Sequence, residues 1–263
     1  MISNPIYPTP VHLAFTRSTS DVLRQMSAQG EANDDLTSVI ADFQSAGRGQ
    51  LGNSWESQDG KNLLISTILH PADHDVVRQF LISMAAALAV RDAVCAFLPP
   101  QLHNAVKIKW PNDVYVNDLK ISGILVENQL RGRLISESII GVGLNVNQVD
   151  FSHAPNPASI KMFTAADTPI ADVADSFLRA LRLRADSMSE PQLARDFWDC
   201  LYRADGDFHA FADANGRFLA RIVSIDPDGR LHLELQDHSR RSFLFKEVEY
   251  VIPSSRGDIT PNI

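Results

Sequence analysis

Apolar positions along the chain recur at two periods. Runs rich in β-branched residues or leucine, bounded by Gly, Asn and Asp, lie at 37–43 and 62–69 and predict strands. The segment Ser18-Thr19-Ser20-Asp21, directly after apolar Leu13 to Phe15, has the form of a capping box and predicts a helix through about Gln29. From Val76 to Leu98 apolar residues recur at three and four, and Pro99-Pro100 stops the pattern, so one long packing helix is expected. Extended runs follow at 105–110, 121–128 and 134–143, with Arg131-Gly132 making the last two a hairpin. Helical spacing returns over 170–188 and 192–203.

After Gly206 the pattern changes to short strands at 217–225, 230–235, 240–245 and 248–252, with Pro227-Asp228-Gly229 as a turn. We therefore expect a large domain over 1–207, a small β module over 208–253 and a loose tail over 254–263. The 263 residues are 44% hydrophobic and 21% charged, with 13 Gly and 14 Pro, which excludes collagenous and low-complexity classes. A net charge of −8 gives no overall electrostatic footprint for nucleic acid, so DNA is not expected as a partner. The longest unbroken apolar run, Met84 to Val90, is short for a bilayer, and Met1-Ile-Ser-Asn-Pro has no secretory pattern, so no membrane partner is expected. Cys95 and Cys200 each sit in an apolar helical pattern, the usage of buried thiols in a reducing cytoplasm.

Lysine is scarce, with six in the chain, yet Lys107, Lys109 and Lys120 crowd together. Gly47-Arg48-Gly49-Gln50-Leu51-Gly52 matches a dinucleotide-binding spacing, but the turn-forming residues after it lead to another strand rather than to the helix that such a site needs. In Lys107-Ile-Lys109-Trp110-Pro-Asn112-Asp113, Pro111 bars regular helix and places Asn112 and Asp113 at a turn where a strand ends. Lys120-Ile-Ser-Gly123-Ile-Leu-Val-Glu127 sets a lysine at the start of an apolar strand, with a glycine three residues on where a ligand can approach. His70 and His74 are four apart, but Pro71 breaks the helix that would align them on a metal, so no metal site is expected.

Taken together, Ser18-Thr19-Ser20, Gln44-Ser-Ala-Gly-Arg48-Gly49, Lys109-Trp-Pro-Asn-Asp113, Lys120-Ile-Ser-Gly-Ile-Leu-Val-Glu127 and Gly141-Val-Gly-Leu-Asn145-Val-Asn147 resemble biotin–protein ligases in order and spacing. The resemblance runs from about Phe15 to Asn147, with Asn156-Pro-Ala-Ser159 as a weaker echo. It implies an α+β fold like the class II aminoacyl-tRNA synthetases: a mixed, mainly antiparallel sheet flanked by helices, followed by a small SH3-like β barrel. It also implies a ligase-only form, since 17 residues precede Ser18 where some relatives carry a DNA-binding domain. The implied reaction joins biotin to AMP from ATP, with Mg²⁺, and passes biotin to a lysine of a biotin carboxyl carrier domain. A homodimer is left open.

By the same resemblance Lys120 bridges carboxylate and phosphate, and Arg48 closes over both. Ser18, Thr19, Ser20, Gln44, Gly49 and Gln50 hold biotin, while Trp55, Lys109, Trp110, Asn112 and Asn145 meet ATP or AMP. Biotin's carboxylate, with a pKa of about 4.5, is ionised at neutral pH, so adenylation needs no base. Its obstacle is anion repulsion, roughly 4 kcal/mol for unit charges about 4 Å apart at an effective dielectric of about 20. In the transfer step, deprotonating the carrier amine at pH 7 costs about 4.6 kcal/mol, and Asp113 is the candidate base. Many bacterial relatives carry basic residues after Gly-Arg-Gly; Gln50, Leu51 and Asn53 here leave two readings open, weaker retention of biotinyl-AMP through lost charge, or closure in which Gln50 bonds within the loop and Leu51 packs over biotin. The alternatives are a lipoate or octanoate ligase or transferase, against which the Gly-Arg-Gly and Lys-Trp-Pro-Asn-Asp motifs argue, and a catalytically idle biotin-sensing module.

Overall fold

The computed structural model describes residues 6–49, 53–152, 156–186 and 190–252. Gln50, Leu51 and the tail over 254–263 lie outside them.

Seven strands build the main sheet: β1 (Val11–Thr16), β2 (Ser38–Gln44), β3 (Asn62–Leu69), β4 (Val106–Lys109), β5 (Asp113–Val116), β6 (Leu119–Arg131) and β7 (Leu134–Asn145). Their order is β1-β2-β3-β7-β6-β5-β4, parallel between β1 and β2 and antiparallel elsewhere. Alternation along each strand divides the sheet into two unlike faces. Leu63, Ile65, Ile124, Ile140, Val142 and Leu144 belong to the main core with α2 (Phe80–Phe97), α4 (Ile170–Asp186) and α5 (Glu190–Asp199). On the opposite face Val39, Ile68 and Ile139 pack with Leu23 of α1 (Thr19–Ala28). Beyond that small cluster, the second face carries Ser66, Gly141, Gly143 and Gly123 between Leu64 and Leu125, with Ser66 opposite Gly141 and Gly123 opposite Gly143.

The helix starting near Val76 departs from expectation twice. A 3-10 turn over Val76–Arg78 precedes α2, and the stretch Val76–Phe97 is long and apolar enough to cross a membrane by composition, although the longest unbroken apolar run is short. Two thirds of it is buried, because α2 lies between the sheet and α4 and α5 and must be apolar nearly all round. Elements not expected from the pattern are β5, the short helix α3 (Ile160–Thr164) and β8 (His209–Asp213). Cys95 and Cys200 are free and only half-buried, and Cys200 lies just past the end of α5 rather than within it.

β8 continues into β9 (Gly216–Ile225), β10 (Leu231–Leu235), β11 (Arg240–Phe243) and β12 (Glu249–Tyr250), an antiparallel sheet in the order β11-β10-β9-β8-β12. Among the described residues the edge strands β11 and β12 do not pair, so this is an open five-stranded sheet without the ladder that would close the expected barrel. It is joined firmly to the main domain. The Trp110 indole N–H donates to the Gly229 carbonyl at 2.9 Å, the Phe80 N–H donates to the Pro227 carbonyl, and Phe245 meets the rings of both Trp110 and Phe80.

Candidate active site

The glycines on the second face form a floor. A Cβ added at Gly143 would lie 2.4 Å from Cε2 of Trp55, and one at Gly123 would lie 3.0 Å from Cζ3 of the same ring. The indole therefore lies flat against the Gly123–Gly143 pair, in space open only because neither residue has a side chain. Its Nε1 is buried without a hydrogen-bond partner among the described residues. Trp55 reaches this position because the glycine loop folds back on itself: its N–H donates to the Gly47 carbonyl, the Gly49 N–H donates to the Asn53 carbonyl, and Arg48 bridges to Ser54.

At one end of the floor lies a row of hydroxyls. Ser66 Oγ is 2.7 Å from Thr19 Oγ1 and 2.9 Å from Ser20 Oγ, and a Cβ at Gly141 would touch Ser20 Oγ at 3.0 Å. Gln44 Oε1 accepts from the Thr19 N–H at 2.7 Å and from its hydroxyl at 3.1 Å. This corrects the capping-box reading. Ser18 occupies the N-cap with extended backbone, but its side chain makes no cap bond; Gln44 reaches across from β2 to satisfy a helix N–H instead, and Asp21 is drawn to Arg24 and Arg48. Ser18, Thr19 and Ser20 are all buried, and the hydroxyls of Thr19, Ser20 and Ser66 join the Gln44 amide in one bonded polar cluster.

Charge gathers at the other end. Lys120 Nζ is 2.7 Å from Asp113 Oδ1 and 5.7 Å from the centre of the Trp55 ring. Lys109, the register partner of Asp113, has an amine whose pKa burial drives down, opposed by the Asp113 charge. Arg48 stands beside the floor, paired at 2.8 Å with Asp21 and at 3.5 Å with Glu127. Asn145 donates through Nδ2 to the Ala158 carbonyl, whose own N–H donates to the Lys120 carbonyl. Asn145 Oδ1 is buried without a partner among the described residues, an acceptor left for a ligand.

Two residues assigned to the nucleotide serve the framework here. Trp110 is 2% exposed and holds the C-terminal sheet, so its indole faces the core. Asn112 gives its Nδ2 to the Ile124 carbonyl at 2.5 Å and clasps the turn onto β6. Ser66 was missed, although a Ser-Thr pair inside a wholly buried strand is a signal for it. Gly141, Gly143 and Glu127 stand in the sequence only as motif positions, with no role attached. Among the described residues no cluster of three or more His, Cys, Asp or Glu could hold a metal ion.

The family model described as the Biotin/lipoate A/B protein ligase family matches residues 12–145. The bifunctional ligase/repressor BirA of Bacillus spizizenii is 31% identical over 228 residues, covering 83% of this chain and 69% of that protein. The biotin–[acetyl-CoA-carboxylase] ligase of Mycobacterium tuberculosis is 32% identical over 191 residues, covering 70% of this chain and 68% of that one. Among solved structures, the biotin protein ligase from Aquifex aeolicus in complex with biotin and ATP superposes with a TM-score of 0.71 at 23% identity, over 92% of this chain and 98% of that chain. The sheet order, the hydroxyl row and the lysine–aspartate pair thus sit on a framework shared with these enzymes, and the chain belongs to the biotin–protein ligases of the biotin/lipoate protein ligase family.

Proposed function

We propose that this protein activates biotin with ATP as biotinyl-AMP and transfers the biotin to a lysine of a biotin carboxyl carrier domain. The observation that carries the reading is the site's polarity: hydroxyls and an amide at one end, a flat glycine and indole floor between, and the Lys120–Asp113 pair at the other. Biotin has the matching order of ureido group, apolar ring and chain, and carboxylate.

In the first step a carboxylate oxygen attacks the α-phosphorus and pyrophosphate leaves. Lys120 lies where two anions must meet, and its ammonium offsets their repulsion as charge builds on the phosphoryl oxygens. Arg48 turns from Asp21 and Glu127 to the phosphate. Thr19, Ser20, Ser66 and Gln44 bond the ureido group with Ser18 behind them, and Asn145 Oδ1 accepts from the adenine amine; Trp55, expected from the resemblance to meet the nucleotide, is assigned here to the floor, with the biotin ring on the side of the indole away from the glycines. In the second step the carrier amine attacks the acyl carbon, AMP leaves, and the amine loses a proton that Asp113 accepts once Lys120 has moved to the phosphate. An Mg²⁺ fits only as an ion carried by the nucleotide, because among the described residues no three carboxylates or imidazoles gather to hold one and Mg²⁺ keeps several water and phosphate ligands. When bound, it neutralises charge on the leaving pyrophosphate.

The test is ATP–pyrophosphate exchange with biotin or lipoate, followed by mass measurement of a carrier domain. Exchange with biotin alone and one added biotin per carrier are expected. Exchange driven by lipoate would overturn the reading.

A further inference from the structure

The charged end of the site has a second layer, and part of it comes from the C-terminal sheet. Lys109 Nζ lies 4.8 Å from the ring centre of Tyr250 and 5.7 Å from that of Tyr115. Tyr250 belongs to β12 and Tyr115 to β5, and Tyr202 links them, stacked on Tyr115 at 5.6 Å and tilted against Tyr250 at 6.0 Å. Among the described residues Lys109 has neither an ion pair nor a hydrogen bond, and the Tyr250 hydroxyl is buried without a partner. The charged groups facing the amine are Asp113 on β5, Lys120 on β6, Arg203 after α5 and Glu249 on β12. Of these, Lys120 and Arg203 oppose its charge and the two carboxylates favour it, while burial pushes its pKa down. An ammonium in this half-buried setting depends on the negative faces of the rings beside it.

We propose that Tyr250 is a positioning residue, through which the C-terminal sheet keeps the Lys109 ammonium on the side of the β4–β5 pair that carries Asp113, beyond ion-pair distance, and so governs how tightly Asp113 grips Lys120. The inference rests on the reading of Lys120 and Asp113 as the groups that serve biotin adenylation. With Lys109 charged, a second cation near the β4–β5 pair weakens the field that Asp113 exerts on Lys120, and Lys120 is freer to turn to the carboxylate and phosphate. With Lys109 neutral, Asp113 holds Lys120 alone. Exchange therefore fades as Lys109 loses its proton at alkaline pH.

The experiment follows biotin-dependent ATP–pyrophosphate exchange against pH in the full-length protein. It compares wild type, Tyr250→Phe, and the same position carrying trifluorophenylalanine, which keeps the ring's shape while weakening its negative face, so folding is retained. The alkaline limb is expected to stay near its wild-type position in Tyr250→Phe and to move down by about one pH unit on fluorination. In a Lys109→Met background, fluorination should change nothing further. Exchange in the wild type with an alkaline limb indifferent to fluorination would overturn this inference alone, as would an equal effect of fluorination with and without Lys109. Absence of biotin-dependent exchange in the wild type would overturn the adenylation reading, and this inference with it.

Discussion

Lys120 holds its position through its main chain, which accepts from the Ala158 N–H and donates to the Asn156 carbonyl, so the strand does not depend on its side chain, whose ammonium pairs with Asp113. Lys120→Gln should keep the fold while slowing exchange on the order of a hundredfold or more, the scale for losing one charge-stabilising donor. Thermal unfolding and exchange kinetics together check this, and unaltered kinetics would leave Lys120 as a strand-edge cation seeking water. At this scale the sequence disclosed polar groups better than their surroundings. Lys120, Asp113, Thr19 and Gln44 were legible because charges and short polar chains at strand ends and helix starts have few other reasons to cluster. Trp110 and Asn112 do not join that cluster, because the same motif holds residues facing different ways: the tryptophan turns into the core, and the asparagine amide is used on the backbone of β6.

β7 shows the same division along one strand. Its residues Ile140, Val142 and Leu144 are buried in the main core, whereas Gly141 and Gly143 open the other face to Ser20 and Trp55. Gly143→Ala should displace the indole, because the new methyl would lie within 3 Å of three of its atoms. The expected result is a changed tryptophan emission and biotin affinity weakened about tenfold or more, with the strand pairing kept, since an extended strand accepts alanine. Unchanged emission and affinity in a biotin titration would show that the indole does not rest on the ligand floor. Long periodic elements were read nearly to the residue, β3 among them, because eight buried positions in a row leave little ambiguity. β5 and β8 escaped because each is four or five residues long and begins on a polar residue, so only neighbouring strands make them strands.

The two sheets act as one body because aromatic rings from both fill their junction. Tyr115, Tyr202 and Tyr250 stack there, and burial raises the hydroxyl pKa of all three above the ordinary value of 10, that of Tyr202 to about 12 with help from its bond to Asp118. Tyr7 is likewise raised to about 12, by burial and then by its bond to Asp175. For acids raised in the folded state, the stabilisation is complete below pH 10 and is lost as pH climbs towards the folded values, because the unfolded chain ionises first. Stability should therefore decline from about pH 10 towards 12, with phenolate absorbance appearing together with unfolding; early phenolate absorbance from a still-folded protein would contradict this. The alternation on β7 has a further consequence for the protein's descent. Changes at Ile140, Val142 and Leu144 are weighed by how much folded protein a cell retains, while those at Gly141 and Gly143 are weighed by which acid the enzyme accepts. A lineage could therefore alter its substrate without first acquiring a sturdier core, because the two pressures fall on alternate residues of one strand.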